Sequence, residues 1–260
     1  MIVYFSGTGN TRRCAERLAA ALGEELYKLS AHELSHPRAR RLVLNGDACS
    51  GQRSARLIVM FPVYCWGMPV QVEDYLREVP VSAPEDTEVW MVATCGDDIG
   101  RTADMWRRLV ERRGMKARRA FSVQMPNTYV CMKGFDVDRP EVAKAKMEAM
   151  PARVEAIAKA IASGADGADD TVPGSFAWLK SYVIRPWFRR FMMSPQKFYA
   201  TDECNNCGLC RRECPMENIV PGNDAKPAWG NHCAMCLRCY HKCPKHAIQW
   251  GKATAGKGQV

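Results

Sequence analysis

Ile2-Val3-Tyr4-Phe5-Ser6-Gly7-Thr8-Gly9-Asn10-Thr11 reads as a buried strand, a glycine and hydroxyl turn, and the start of a helix. The first four residues are a short apolar run. Cys14, Leu18 and Leu22, with Ala15 and Ala19 beside them, then recur at helical spacing. A strand that feeds a helix through such a loop makes an anion site. The first N–H groups of the helix have no partners within it, and its dipole favours negative charge there. Two commoner phosphate loops are excluded by residue. No Gly-Lys-Ser/Thr follows, so this is not a Walker loop. Counting on from Gly7-x-Gly9 brings Arg12 to the position where a dinucleotide fingerprint needs glycine. What remains is a loop whose Ser6, Thr8, Asn10 and Thr11 can donate to one terminal phosphate, the group that flavin mononucleotide presents. The plainer alternative is a βα turn without a ligand.

Working outward, Glu25 to Leu29 reads as a second strand. Leu57-Ile58-Val59-Met60-Phe61 is a third, apolar throughout and so buried on both faces. Val89 to Ala93 and Ala120 to Gln124 follow. Between them lie a helix through Leu76, a helical stripe of Ala103, Trp106, Leu109 and Val110, and a long helix from about Pro140 to Ser163. That last helix turns Met150, Val154, Ile157 and Ile161 inward. Residues 31–54 carry His32, His36, Pro37, Asn45, Gly46 and Gly51 and read as irregular connection, with both histidines exposed. Strands alternating with helices at this spacing give an α/β fold with a doubly wound parallel sheet. Such sheets bind ligands beyond the C-terminal ends of their strands. The third strand ends in Pro62-Val63-Tyr64-Cys65-Trp66-Gly67-Met68-Pro69, the fourth in Thr94-Cys95-Gly96-Asp97-Asp98-Ile99-Gly100, and the fifth in Met125 to Tyr129. Either Tyr64 or Trp66 alone reads equally as core; their joint position favours a flat ligand, and Gly67 lets backbone approach it.

These loops, in this order, resemble those of flavodoxin over residues 1–165. The resemblance implies strand order 2-1-3-4-5 and noncovalent FMN. It also implies a binding set of Ser6, Gly7, Thr8, Gly9, Asn10, Thr11, Pro62, Tyr64, Trp66, Gly67, Thr94, Cys95, Gly96 and Gly100. Cys65 departs from the pattern at a position where such loops often carry glycine. Asp97 and Asp98 read as solvated loop residues.

Near the C-terminus, Cys204-x-x-Cys207-x-x-Cys210-x-x-x-Cys214-Pro215 recurs 29 positions later as Cys233-x-x-Cys236-x-x-Cys239-x-x-x-Cys243-Pro244, and Ile219 recurs as Ile248. Three thiolates at this spacing fit one tight loop around a cubane, and the fourth comes from the other run. Cys204, Cys207, Cys210 and Cys243 are therefore assigned to one [4Fe–4S] cluster, and Cys233, Cys236, Cys239 and Cys214 to the second. Structural zinc needs pairs of cysteines separated by a longer loop, not triplets closed by C-x-x-x-C-P. Residues 198–250 resemble the bacterial two-cluster ferredoxins, which implies a small α+β domain over 198–260.

Composition bounds the rest. No run approaches the roughly 18 apolar residues of a membrane span, and no export signal precedes the first strand, so a cytoplasmic location is expected. In that reducing setting the remaining cysteines, Cys14, Cys49, Cys65, Cys95 and Cys131, read mostly as small buried apolar residues. The net charge of +9 comes without a nucleic-acid-binding module and suits acidic protein partners. Residues 164–170 are small and acidic and read as a boundary. The connector at 166–197 interleaves Phe176, Trp178, Tyr182, Trp187, Phe188 and Phe191 with Lys180, Arg185, Arg189, Arg190 and Lys197. Such a segment can lie on a membrane; packing of its aromatics between the two domains is the favoured expectation, with Pro186 dividing it into two helical pieces.

Taken whole, the chain resembles the flavodoxin–ferredoxin fusion proteins of anaerobic bacteria and archaea. The resemblance implies an electron carrier holding FMN and two [4Fe–4S] clusters and exchanging with acidic redox proteins. The alternative is an iron–sulfur flavoenzyme acting on a small molecule, with a redox sensor as a minor third.

Overall fold

The computed structural model describes residues 1–44, 55–84, 87–164, 166–222 and 225–260. Strands β1 (Ile2–Tyr4), β2 (Leu26–Lys28), β3 (Arg56–Pro62), β4 (Glu88–Cys95) and β5 (Lys116–Gln124) form one parallel sheet in the order β2-β1-β3-β4-β5. The expected doubly wound order is the observed one. Alternation along the strands feeds two cores. Leu57, Val59 and Phe61 face one side with α2 (Val70–Glu78) and α3 (Thr102–Arg112). Ile58 and Met60 face the other with α1 (Asn10–Leu22) and α4 (Pro140–Ala162). Each such side chain contributes about 1.5–3 kcal/mol on burial, so a sheet covered on both faces holds the strand ends rigidly in register.

The stretch expected to be irregular is partly ordered. Ser30 caps a short helix, Ala31–Ser35, through a reciprocal box with Glu33, and Leu42–Val43 pairs with Val81–Ser82. His32 and His36 are exposed, as expected. Asn45, Gly46, Gly51 and Cys49 lie outside the described residues.

The expected boundary is not a free linker. Asp170 runs along β5 as an extra parallel edge, its N–H donating to Ala120 O at 2.9 Å and its carbonyl accepting from Ser122 N at 3.1 Å. The connector then forms one helical run, α5, built from Ala177–Leu179, a π turn at Lys180–Ile184, and Arg185–Phe191. Pro186 does not divide it: the backbone passes from the π turn through Ile184 and Arg185 into the last piece at helical φ and ψ. The favoured packing of the connector's aromatics between the domains is also corrected. Phe188 is buried, but Phe176, Trp178, Trp187 and Phe191 are 56–78% exposed.

The second domain pairs β6 (Phe198–Ala200) with β9 (Ile248–Trp250), and β7 (Ile219–Pro221) with β8 (Pro227–Trp229), both antiparallel. Its core of Phe198, Ile219, Leu237, Tyr240, Ile248 and Trp250 also takes in Val130 and Cys131 from the loop after β5. The chain returns at its end to clasp that loop: Lys257 Nζ donates to Val130 O, Met132 O and Phe135 O at 2.5–2.8 Å. Among the described residues no helix is long and apolar enough to cross a membrane.

Candidate cofactor sites

A cleft with about 810 Å³ of empty space, open solvent included, lies beyond the C-terminal ends of β1, β3, β4 and β5. Ser6, Gly7, Thr8, Asn10, Thr11, Pro62, Tyr64, Thr94, Cys95 and Gly96 line it. At its floor, α1 begins at Gly9 with φ 119°, without a side-chain cap and with no acidic residue in its first turn. The helix dipole there is left for an anion. Ser6 Oγ accepts from Arg12 N at 3.2 Å and keeps its own hydrogen to donate. Thr11 and Asn10 are more committed than the sequence implied. Thr11 Oγ1 lies 2.7 Å from Thr94 Oγ1 in a buried pair, and Asn10 Nδ2 donates to Pro126 O at 3.0 Å. Both hold the loops of β4 and β5 to the first loop.

Among the described residues the lining contains no Asp, Glu, His, Lys or Arg. Burial pushes the Cys65 and Cys95 thiols each up to about 12, so both are protonated near pH 7. Burial likewise raises the Tyr64 and Tyr129 hydroxyls. Tyr129 also carries a buried hydroxyl with no hydrogen-bond partner, the kind of orphan that a ligand's acceptor would satisfy. Neutral donors, a helix N-terminus and apolar walls suit a flat ring bearing one phosphate.

Gly9, Trp66, Gly67 and Gly100 do not line the cleft. Cys65 and Trp66 take φ of 47° and 53°, the left-handed region that favours glycine. The turn closes through Tyr64 N donating to Gly67 O at 2.9 Å. Trp66 is turned toward the connector, where its carbonyl accepts from Ser181 Oγ at 2.9 Å and its ring lies 5.3 Å from Lys180 Nζ. Lys180 in turn pairs with Asp98 at 2.6 Å, so Asp98 is a latch and not a solvated residue. Asp97 is exposed, as expected. Gly67 is required by the connector: a Cβ there would stand 2.6 Å from Arg185 Cδ. Arg185 is buried, donating to Met68 O at 2.7 Å and pairing with Glu73 at 3.2 Å.

The far wall comes from elements that sequence reasoning did not assign: Asn127 and Thr128 of the β5 loop, Phe188, Met192 and Met193 of the connector, and Met235, Cys236 and Leu237 of the second domain. Contact there is close. A Cβ on Gly7 would meet Tyr64 Oη and stand 2.7 Å from Cys236 Cβ. Arg238 Nη1 donates to Gly7 O at 3.0 Å, and His241 Nε2 donates to Thr128 O at 2.8 Å. Burial lowers His241 to about 4, so the ring is neutral near pH 7.

The cysteine runs form two groups. Cys204, Cys207, Cys210 and Cys243 line one cavity. Cys214, Cys233 and Cys236 are neighbours whose charges act on Cys239. Each group thus mixes three cysteines of one run with the last of the other. Among the described residues no three His, Cys, Asp or Glu converge on a single-ion site; the cysteines surround a volume and not a point. The repeat persists in the backbone, where Asn218 N donates to Cys214 Sγ at 3.4 Å and Ala247 N to Cys243 Sγ at 3.3 Å. Cys236 is pushed up to about 12 by burial, so its thiolate form depends on metal bonding. Cys14, Cys95 and Cys131 are buried, whereas Cys65 is half-buried at the cleft.

Residues 203–248 match the family described as 4Fe-4S dicluster domain. Among solved structures the chain is similar to the Trp repressor binding protein of Bacillus subtilis, at 15% identity over 59% of this chain and 96% of that one, with a TM-score of 0.35. It is similar to the apo form of an NADH:FMN oxidoreductase, at 15% identity over 60% and 87%, TM-score 0.33. It is also similar to two-electron reduced flavodoxin from Megasphaera elsdenii, at 16% identity over 59% and 97%, TM-score 0.28.

Proposed function

We propose that this chain, a flavodoxin-like domain joined to a 4Fe-4S dicluster domain, is an electron-transfer protein that holds FMN in the cleft and a [4Fe–4S] cluster on each mixed set of cysteines. When bound, the flavin supplies exchange of one or two electrons and each cluster exchange of one. The residues supply position. Ser6, Thr8 and the first turn of α1 take the phosphate, while Tyr64, Cys95, Thr94 and Gly96 flank the ring. The observation that carries the reading is that Cys236, from the second cysteine run, lines the same cleft as the Ser6–Thr11 loop. Cys207, Arg211 and Arg212 by contrast face solvent. The two cysteine sets therefore divide an inner and an outer position between them.

A carrier is favoured over a small-molecule enzyme by the uncharged lining, which offers no carboxylate or imidazole for proton transfer. Partners would approach the outer set across Arg211, Arg212, Lys242 and Lys245, which are exposed. Arg238 and His241 take no part in that surface. Arg238 is tied to Glu213 and to Gly7, and His241 is buried. Acidic partners would be steered by attraction that salt screens over about 8 Å.

Stopped-flow exchange with an acidic ferredoxin tests this. The rate should fall steeply with salt, and Arg211→Glu with Arg212→Glu should slow it at low salt while leaving about eight iron, eight sulfide and one FMN per chain. Indifference to both, together with saturable reoxidation by a small molecule, would replace the carrier by an enzyme.

A further inference from the structure

The helix α5 is amphipathic in the inverted sense. Its inward positions are Ser181, Arg185 and Phe188, and two of these three are polar. Arg185 is nearly inaccessible and spends its guanidinium on Met68 O and Glu73. Its outward positions Leu179, Val183, Trp187 and Phe191 recur every four residues, matching the wide π turn, and are 43–58% exposed. Phe176 and Trp178, at the start of the run, are also exposed, at 78% and 60%. Water-facing helices of globular proteins show the opposite pattern, and contiguous apolar patches of this kind mark a surface that is covered by something.

Charge says what covers it. From Thr171 to Thr201 there are five cations and no Asp or Glu; Lys180, Arg185 and Arg189 pair with Asp98 or Glu73, while Arg190 and Lys197 face solvent. One further cation flanks the helix, Arg108, 5.6 Å over the Tyr182 ring, and Arg190 lies 5.5 Å over Phe191. Tryptophan and phenylalanine at headgroup depth, rimmed by arginine and lysine, are the composition of a helix that lies in the plane of an anionic bilayer. We propose that the outward face of α5 docks this protein peripherally on an anionic lipid surface, with Trp178, Trp187 and Phe191 entering the headgroup layer. A basic protein partner is disfavoured by the charge. An acidic one would leave this much aromatic surface facing water unless it carried a matching apolar groove.

The test uses the full-length protein with its cofactors in vesicle flotation. It should float with phosphatidylcholine vesicles that contain phosphatidylglycerol, not with phosphatidylcholine alone, and release at high salt. Trp187→Ser with Phe191→Ser should weaken partition by about a hundredfold or more, since each buried aromatic is worth more than one factor of ten. Arg108→Glu with Arg190→Glu should abolish it. Iron and flavin content should stay unchanged in both pairs. Should the serine pair fail to fold, quenching of wild-type tryptophan fluorescence by brominated anionic lipid gives the same answer. No flotation and no quenching would overturn the proposal, as would flotation indifferent to the serine pair. Light scattering that finds a dimer, split to monomers by the serine pair, would assign the face to a second copy and overturn it too.

Discussion

A negative side chain at Thr8 would stand in the loop proposed to take the phosphate and would compete with it for the donors of that loop and of the first turn of α1. Thr8→Glu should therefore yield protein that folds and binds iron but retains little flavin, measured by absorbance after gel filtration. At the cysteines, the mixed sets predict a pattern of additivity. Cys214→Ser combined with Cys233→Ser should leave about half the iron, because both act on one cluster of four. Cys214→Ser combined with Cys204→Ser should leave almost none; the reverse pattern would undo the crossed assignment. Asp170 gives a pH signature. The hydrogen bond from Arg153 Nη1 at 2.6 Å, offset in part by burial, holds its carboxyl below the ordinary range. Unfolded chains therefore take up this proton at higher pH than the folded protein does. The stabilisation is present above about pH 4 and lost as pH falls through the lower folded value. Because the side chain is half exposed, Asp170→Asn should cost only about 0.5–1 kcal/mol at pH 7, a difference from wild type that closes on acidification.

Elements explain where sequence reading succeeded and where it stopped. Ser6 to Thr11 and the cysteine runs are legible because each works within one turn of chain, where spacing fixes geometry. The sheet order follows from uninterrupted apolar runs such as Leu57–Phe61, which only a doubly covered strand can accommodate. Trp66 was misplaced for a physical reason. A left-handed φ at two successive non-glycine residues turns the ring outward, where Lys180 lies over it and Ser181 bonds the Trp66 carbonyl. Nothing local in Trp66 encodes a partner more than a hundred residues on. Met192, Met193 and Met235 carry no spacing signal either; they reach the cleft only once α5 and the second domain are seated. Gly67 and Arg185 make the seating measurable. Gly67→Ala should cost about 1–3 kcal/mol by overpacking against the guanidinium. Arg185→Ala should also cost about 1–3 kcal/mol, because it leaves Met68 O without its donor, while Glu73 keeps Arg77 and Arg189. In the double variant the first penalty should nearly vanish, a coupling that thermal melts can read. Additive losses would mean that Gly67 matters for another reason.

Across the whole molecule, the two domains share what each lacks. The loop after β5 completes the core of the second domain, and the second domain completes the wall of the cleft. Lys257 ties the arrangement from the far end of the chain. Lys257→Ala should leave three part-buried carbonyls short of a donor and cost about 1.5–3 kcal/mol. It should also make the loop around Val130 and Phe135 exchange its amide hydrogens faster, while the sheet stays protected. This interlocking has a consequence for biosynthesis. A ribosome delivers the phosphate loop first and Cys236 more than two hundred residues later. The nascent sheet can fold as a unit, yet its flavin cleft lacks a side until the last cysteine loop has emerged. Tight flavin retention should then follow iron–sulfur assembly in time, so that cells short of iron would accumulate this chain pale and without either kind of cofactor.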